Sequence, residues 1–339
     1  MDVDEPLLLF RSQYLQCVDH DFLAWPPSTL LRQPDALQFL FRRMFDTEKL
    51  LHRPPVQYEL RILKTLVTKI ERVTGQGVSG SPFQNLRRRL TDLENQETSQ
   101  GPLATQDAYL TYNCTSSLSS WRPVILHESR SRISGSSRTG HRTWEGALHL
   151  ASYLLSSPSI IDGLRVLELG AGTGFLSILC RKYLNAQYVT ATDGDDMVVA
   201  EMQENLLLNG RRESDNIVAR KLWWGSDLSG NWRERVGETE FDVVIAADVI
   251  YQEEATRSLV QALRAISDRQ PGVKILMANA LRFPNIFEIF RHECEYNNLS
   301  IHVVKYQMTP PPKQKALFYS TAMPLQIVEI RNCRKPETS

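Results

Sequence analysis

Through the first part of the chain apolar residues recur at steps of three and four, the spacing that gathers side chains on one face of a helix. Leu37, Leu40, Phe41, Met44 and Phe45 make one such face. Pro54-Pro55 interrupts the chain, and Tyr58, Ile62, Leu63, Leu66, Val67 and Ile70 then make a second. A Gly/Ser stretch over 75–82 reads as a loop. A third helix is predicted over 83–93, carrying Arg87-Arg88-Arg89, and the polar run 94–102 reads as a linker. No convincing strand pattern occurs between Pro6 and Asn95, so residues 1–103 are expected to form an α-helical N-terminal domain.

From residue 104 onward the texture changes. Short dense apolar runs at 164–169, 188–192, 217–222, 241–246 and 273–278 alternate with helical patterns at 175–183, 197–208, 253–267 and 285–297. Two further strands are predicted at 301–304 and 326–330. Strands that are apolar on both faces, each followed by a helix, predict a Rossmann-like α/β domain over 104–339 whose sheet is covered on both sides. The Ser/Gly/Arg-rich stretch 129–142 reads either as a surface loop or as a flap over a site. Thr143 is placed to cap the helix that follows, with Glu145 in its first turn.

Composition narrows the partners. The chain has 39 basic and 39 acidic side chains, and a protein that neutralises many phosphates usually carries a basic excess. Direct nucleic-acid binding is therefore not expected, although a local basic patch stays open. Cys17, Cys114, Cys180, Cys294 and Cys333 are scattered and form no C-x-x-C pair, and no metal cluster stands out among the seven histidines. Free thiols in a reducing compartment are expected. The acidic start Met1-Asp2-Val3-Asp4-Glu5 lacks the basic residues of a secretory signal, and no apolar run approaches the ~18 residues of a membrane helix. A cytoplasmic monomer without a membrane partner is the expectation.

The candidate chemistry begins at Glu168-Leu169-Gly170-Ala171-Gly172-Thr173-Gly174, where a strand runs into a glycine-rich turn and a helix starts at once. A dinucleotide fold would need a third glycine at Phe175, and that register fails. The spacing E-x-G-x-G-x-G is instead the first motif of seven-strand methyltransferases that bind S-adenosyl-L-methionine. That cofactor ends in an ammonium beside a sulfonium, so a carboxylate at Glu168 suits its positive end. Asp193 closes the next strand, about 20 residues on, where a carboxylate can accept both hydroxyls of a ribose. Trp144 and Trp224 offer flat apolar surfaces for an adenine ring.

Taken together, Thr143-Trp144-Glu145-Gly146-Ala147, the glycine motif, Trp224 and Ala247-Asp248-Val249-Ile250-Tyr251 resemble family 16 of the seven-strand methyltransferases, which modify lysines of chaperones and translation factors. Trp25-Pro26 and Arg53-Pro54-Pro55-Val56-Gln57-Tyr58 extend the resemblance to the branch acting on elongation factor 2. It implies a class I methyltransferase sheet and a protein substrate, elongation factor 2. It also implies cofactor contacts at Trp144, Gly170, Ala171, Gly172, Asp193, Trp224 and Ala247. Where the family commonly reads Leu-Asp-Trp, this chain has Leu222-Trp223-Trp224, and Asp227 is the nearest acid that could substitute.

Methyl transfer to a lysine requires alignment, exclusion of water and a neutral amine. Deprotonating a lysine of pKa ~10.4 at pH 7 costs about 4–5 kcal/mol. Aligning the reactants contributes roughly 7–11 kcal/mol, so alignment is the larger task. Asp248 and Tyr251 follow a strand at its carboxyl end, with the D-x-x-Y spacing of the lysine-modifying family. Asp248 is expected to capture and orient the lysine, since a carboxylate also favours the charged amine and makes a poor base. Tyr251 is expected to orient the amine through its hydroxyl or to narrow the channel with its ring. A methyltransferase of small molecules would share the cofactor half of this pattern, and a non-catalytic binding module also stays open. The arginines at 42, 43, 53 and 87–89 are candidates for substrate selection or a solvated face.

Overall fold

The computed structural model of the chain describes residues 4–75, 81–100, 108–115, 122–128, 139–211, 215–224, 236 and 240–333. The stretch 129–138, most of the expected loop or flap, and Asp227 lie outside these residues. The chain divides into two units, Met1–Ser136 with Lys315–Phe318, and Ser137–Gln314 with Tyr319–Ser339.

In the first unit the helical periodicities become α1 (Glu5–Leu15), α2 (Ser28–Leu31), α3 (Pro34–Leu40), α4 (Val56–Thr74) and α5 (Ser81–Gln100). Helix α4 begins directly after Pro55, whose carbonyl accepts from Glu59 N at 2.9 Å. Phe10, Tyr14, Leu40, Phe45, Ile62, Leu63, Leu66, Ile70 and Leu86 are fully buried and bind these helices into one core. The face expected over 37–45 is only partly α-helical, because Phe41–Phe45 form a π-helical turn. The expected linker at 94–102 is also revised, since α5 runs on to Gln100. Glu and Gln tolerate a helix well once Phe83, Leu86 and Leu93 have buried one face, and Pro102 follows in the sequence as a helix breaker. Two of the three arginines at 87–89 are held by ion pairs, Arg87 to Glu71 at 2.6 Å and the buried Arg89 to Glu59 at 2.8 Å.

An antiparallel hairpin, β1 (Ala108–Tyr112) with β2 (Val124–Glu128), completes this unit. The hairpin thus groups with the helices rather than with the seven-stranded sheet. Residues 315–318 return to the same unit through Gln16, whose Nε2 donates to Phe318 O at 2.5 Å while its Oε1 accepts from Phe318 N at 3.1 Å. One glutamine side chain stands in for a peptide group there, and such a contact across 302 residues leaves no local trace in the sequence.

The second unit is the α/β domain. Its strands are β3 (Arg165–Leu169), β4 (Tyr188–Asp193), β5 (Ile217–Lys221), β6 (Val243–Ala247), β7 (Lys274–Ala280), β8 (Leu299–Val303) and β9 (Leu325–Asn332). They form one seven-stranded sheet in the order β5-β4-β3-β6-β7-β9-β8. The first five are mutually parallel, whereas β9 runs antiparallel to both β7 and β8. This is the Rossmann-like class I methyltransferase order expected from the alternation. Helices α6 (Glu145–Ser156), α7 (Phe175–Tyr183), α8 (Asp196–Leu208), α9 (Glu253–Arg269) and α10 (Pro284–Tyr296) connect and cover it. The strand order reverses beside β3, so a crevice opens at the carboxyl ends of β3, β4 and β6. Thr143 does not cap α6. Trp144 holds that position without a side-chain bond, and Thr143 Oγ1 pairs with Thr173 Oγ1 at 2.8 Å, tying the start of α6 to the glycine turn.

Candidate active site

Strand β3 ends against the glycine turn, and the turn needs its glycines. Gly170 has φ +66°, a left-handed conformation costly for any residue with a Cβ. A Cβ there would also meet Val249 Cγ1 at 2.7 Å and the Trp224 ring at 3.3 Å. The turn is fastened to the neighbouring strand by Ala171 N donating to Thr192 O at 2.8 Å and Gly172 N donating to Asp193 Oδ2 at 3.1 Å.

Glu168 lies beneath this turn and is buried. Its Oε2 accepts from Ser177 Oγ at 2.5 Å, the first turns of α7 thus reaching back to the strand. Burial pushes the Glu168 carboxyl up to about 8, partly offset by Ser177 and reinforced by the nearby Asp193. Asp193 Oδ1 accepts from Asp195 N at 3.2 Å, and burial raises this carboxyl too, against the pull of the backbone N–H groups of 195, 172 and 194. Three backbone N–H groups cannot occupy all the lone pairs of two oxygens, so the carboxylate keeps capacity for hydroxyl donors.

Trp224 is partly buried beside Gly170, and its indole Nε1 is buried without a partner among the described residues. Trp223, in the position of the family's Asp, is 61% exposed and lies over Gly194, where a Cβ would meet its ring at 2.8 Å. Trp144 is flanked by two arginines. The Arg142 guanidinium lies 4.0 Å from its ring centroid and that of Arg282 5.0 Å, while its Nε1 donates to Thr139 O at 2.9 Å.

The β6 end is built differently. Asp248 follows Ala247 with φ 53°, an uncommon conformation for a residue other than glycine, and its N donates to Ala278 O at 2.8 Å. This bend turns the side chain inward, leaving it 4% exposed. Oδ2 accepts from Gly146 N at 2.6 Å, and Oδ1 accepts from Ala280 N at 2.8 Å and Arg282 Nη1 at 3.1 Å. Gly146 is required by proximity, since a Cβ would lie 2.6 Å from Asp248 Oδ2. Arg282 also pairs with Glu145, which Arg142 approaches at 3.4 Å. Burial raises the Asp248 carboxyl, opposed by Ala280, Arg282 and Gly146.

All ten residues singled out from the sequence, from Trp144 to Tyr251, line or adjoin a single cavity of about 940 Å³ within the second unit. Gln252, Glu254, Ser258 and Phe283 extend its wall beyond Tyr251. Sequence reasoning missed Arg282 and gave Glu145 no part beyond its helix. Arg282 sits in an unremarkable loop 34 residues past Asp248, and only the pairing of β6 with β7 brings the two together.

With this geometry in place the chain can be set beside known proteins. A family model described as lysine methyltransferase matches residues 129–293. The chain is 33% identical to the protein-lysine N-methyltransferase EFM3 of Chaetomium thermophilum, over 95% of this chain and 96% of that one. The chain belongs to this lysine methyltransferase family. It is also 28% identical to the human protein-lysine N-methyltransferase EEF2KMT, over 82% of this chain and 81% of that one. It is 32% identical to EFM3 of Saccharomyces cerevisiae, over 53% of this chain and 56% of that one. The small-molecule and binding-module alternatives give way to a protein-lysine N-methyltransferase, and S-adenosylmethionine is its methyl donor.

The residues present fit that donor. The backbone approaches the cavity at Gly170, where a side chain would collide, and the unpartnered Trp224 Nε1 is a hydrogen-bond donor left open beside it. Asp193 has lone pairs to spare, and Glu168 is a buried acid whose ionisation a neighbouring cation would favour. Among the described residues no helix is long and apolar enough to cross a membrane.

Proposed function

We propose that this enzyme methylates a lysine of elongation factor 2, with the two rims of the cavity dividing the work. One observation carries the reading: the glycine turn with Asp193 and the rim formed by Asp248 and Tyr251 border the same cavity. The resemblance at Trp25-Pro26 and Arg53 to Tyr58, together with identity to EFM3 and EEF2KMT running far beyond the catalytic core, supports elongation factor 2 as substrate. The scattered cysteines, four buried and one exposed, are all free thiols, which supports the cytoplasm as the place of reaction. A monomer is sufficient, since every proposed residue comes from one chain.

S-adenosylmethionine, when bound, supplies a methyl group on a sulfonium that leaves readily. The backbone at Gly170, Ala171 and Gly172 receives the donor's amino-acid end, with Glu168 beneath it as the balancing negative charge. Asp193 accepts the ribose hydroxyls, and Trp144, Trp224 and Ala247 enclose the remaining faces and exclude water. Asp248 holds the approaching ammonium through the lone pair its three donors leave, while those donors fix the carboxylate in place. Tyr251 orients the amine or narrows the entry, and the amine's proton leaves to water.

Two experiments test this reading. Purified enzyme and labelled S-adenosylmethionine should label elongation factor 2 made in cells lacking the gene, and mass spectrometry should find one lysine modified. Absence of label on elongation factor 2, with label on another protein of the lysate, would refute the substrate while leaving the enzyme class intact.

A further inference from the structure

A second cavity, of about 490 Å³, lies within the first unit and has no part in the chemistry above. Four separate segments build it: Leu8, Arg11 and Leu15 from α1, Phe39 and Arg43 around the π-helical turn, Lys49 to His52, and the hairpin residues Thr111, Pro123 and Ile125. Its walls are aliphatic and aromatic, and Leu51 stands 80% exposed at its edge. Three of its polar residues, Arg11, Arg43 and Lys49, are cationic, and none is acidic. The π-helical turn sets Arg43 O within 3.4 Å of Arg11 Nε, so two guanidinium-bearing residues meet at one place. No carboxylate forms an ion pair with Arg43 or Lys49 among the described residues. Partial burial, reinforced by the charge of Arg43, lowers Arg11 to about 10.

We propose that this cavity is a docking site for the folded protein substrate, taking a carboxylate side chain next to a bulky apolar one on an exposed segment. The proposal rests on the reading that the substrate is elongation factor 2. Charge complementarity selects the anion, because Arg43 and Lys49 line the cavity with no carboxylate paired to either among the described residues. The apolar wall selects the neighbour. An oligonucleotide would use the cations but leave Leu8, Phe39, Leu50 and Leu51 unused.

The test is the double variant Arg43→Glu/Lys49→Glu in the full chain, both side chains being exposed so that folding is preserved. The expected result is a KM for folded elongation factor 2 raised about tenfold, with kcat and the dissociation constant for S-adenosylmethionine unchanged. Methylation of a short peptide carrying only the target lysine should not change. An unchanged KM in the variant, with an active wild type, overturns the proposal, as does loss of oligonucleotide binding without a change in KM. A wild type inactive on elongation factor 2 refutes the substrate assignment instead. The cavity is then judged by the peptide acetyl-Leu-Glu-Phe-Asp-amide alone: methyl-group NMR shifts confined to Leu8, Leu50, Leu51 and Ile125 support it, and their absence overturns it.

Discussion

The two carboxylates at the crevice, Asp193 and Asp248, end strands of one sheet and serve opposite styles of construction. Asp193 is bonded by the backbone of Gly172, a residue of the adjoining turn, and of Asp195, two positions along its own chain. Asp248 is bonded by Gly146, Ala280 and Arg282, which lie 102, 32 and 34 residues away. The β3–β4 rim is thus assembled by local turns, each satisfied as its strand pairs. The β6 rim exists only when α6, β6 and the end of β7 have all packed. The contrast predicts that donor binding tolerates changes that catalysis does not, because the transfer step as proposed depends on the rim with longer-range support.

The sharpest way to break this comparison is Asp248→Asn. Replacing one carboxylate oxygen by an amide leaves a buried N–H facing a donor and Arg282 with only one of its two carboxylates, so transfer should fall on the order of 10²–10³-fold. Steady-state rates with elongation factor 2, beside calorimetry of S-adenosylmethionine, check it; equal loss of donor affinity would mean the rims are not separable. Gly170→Val should act on the other side. The left-handed backbone and the collision with Val249 and Trp224 should weaken donor binding by roughly 30-fold or more, from a strain of about 2 kcal/mol or above. An undiminished affinity would place the donor elsewhere.

Arg282→Ala sharpens the contrast further. It removes the cation shared by Glu145 and Asp248, and kcat should fall about tenfold while donor affinity holds. Arg282→Lys should restore little, because a single ammonium cannot span both carboxylates as the guanidinium fork does.

A pH series probes the first rim. Free Glu168 titrates near 8, and a cationic donor prefers its ionised form, so donor affinity should rise up to tenfold per pH unit between about 6 and 8 and level off above. For folding the sign reverses. The folded chain holds a proton that the unfolded chain has lost at its ordinary carboxyl pKa, so this group's contribution to stability is full below about 4.5 and is lost as pH rises toward 8. Glu168→Gln should flatten both profiles, measured by calorimetry and by thermal melts without donor.

How far the sequence could be read depended on how local each feature was. The seven strands, the helices between them and the glycine turn were legible, because periodicity and a glycine-rich run report on the backbone nearby. Trp144 and Trp224 were singled out by their placement around the glycine turn, and the resemblance then extended the same contact to Ala247. The β1–β2 hairpin escaped notice, its strands being five residues each and set apart from the alternating pattern. The extension of α5 through polar residues escaped for a related reason, as one buried face is enough to carry a polar surface.

By itself the amino-acid sequence determined the class of sheet, the order of its elements and the identity of the methyl donor, since these follow from hydrophobic spacing and from chemistry written within a few consecutive residues. Tertiary structure alone decided that Arg282 would reach Asp248, that Gln16 would clasp Phe318, and that Arg11 and Arg43 would share a cavity. Such contacts join residues whose separation along the chain carries no signal. They form because packing a hydrophobic core brings distant polar groups together, where each must find a partner or pay for its burial.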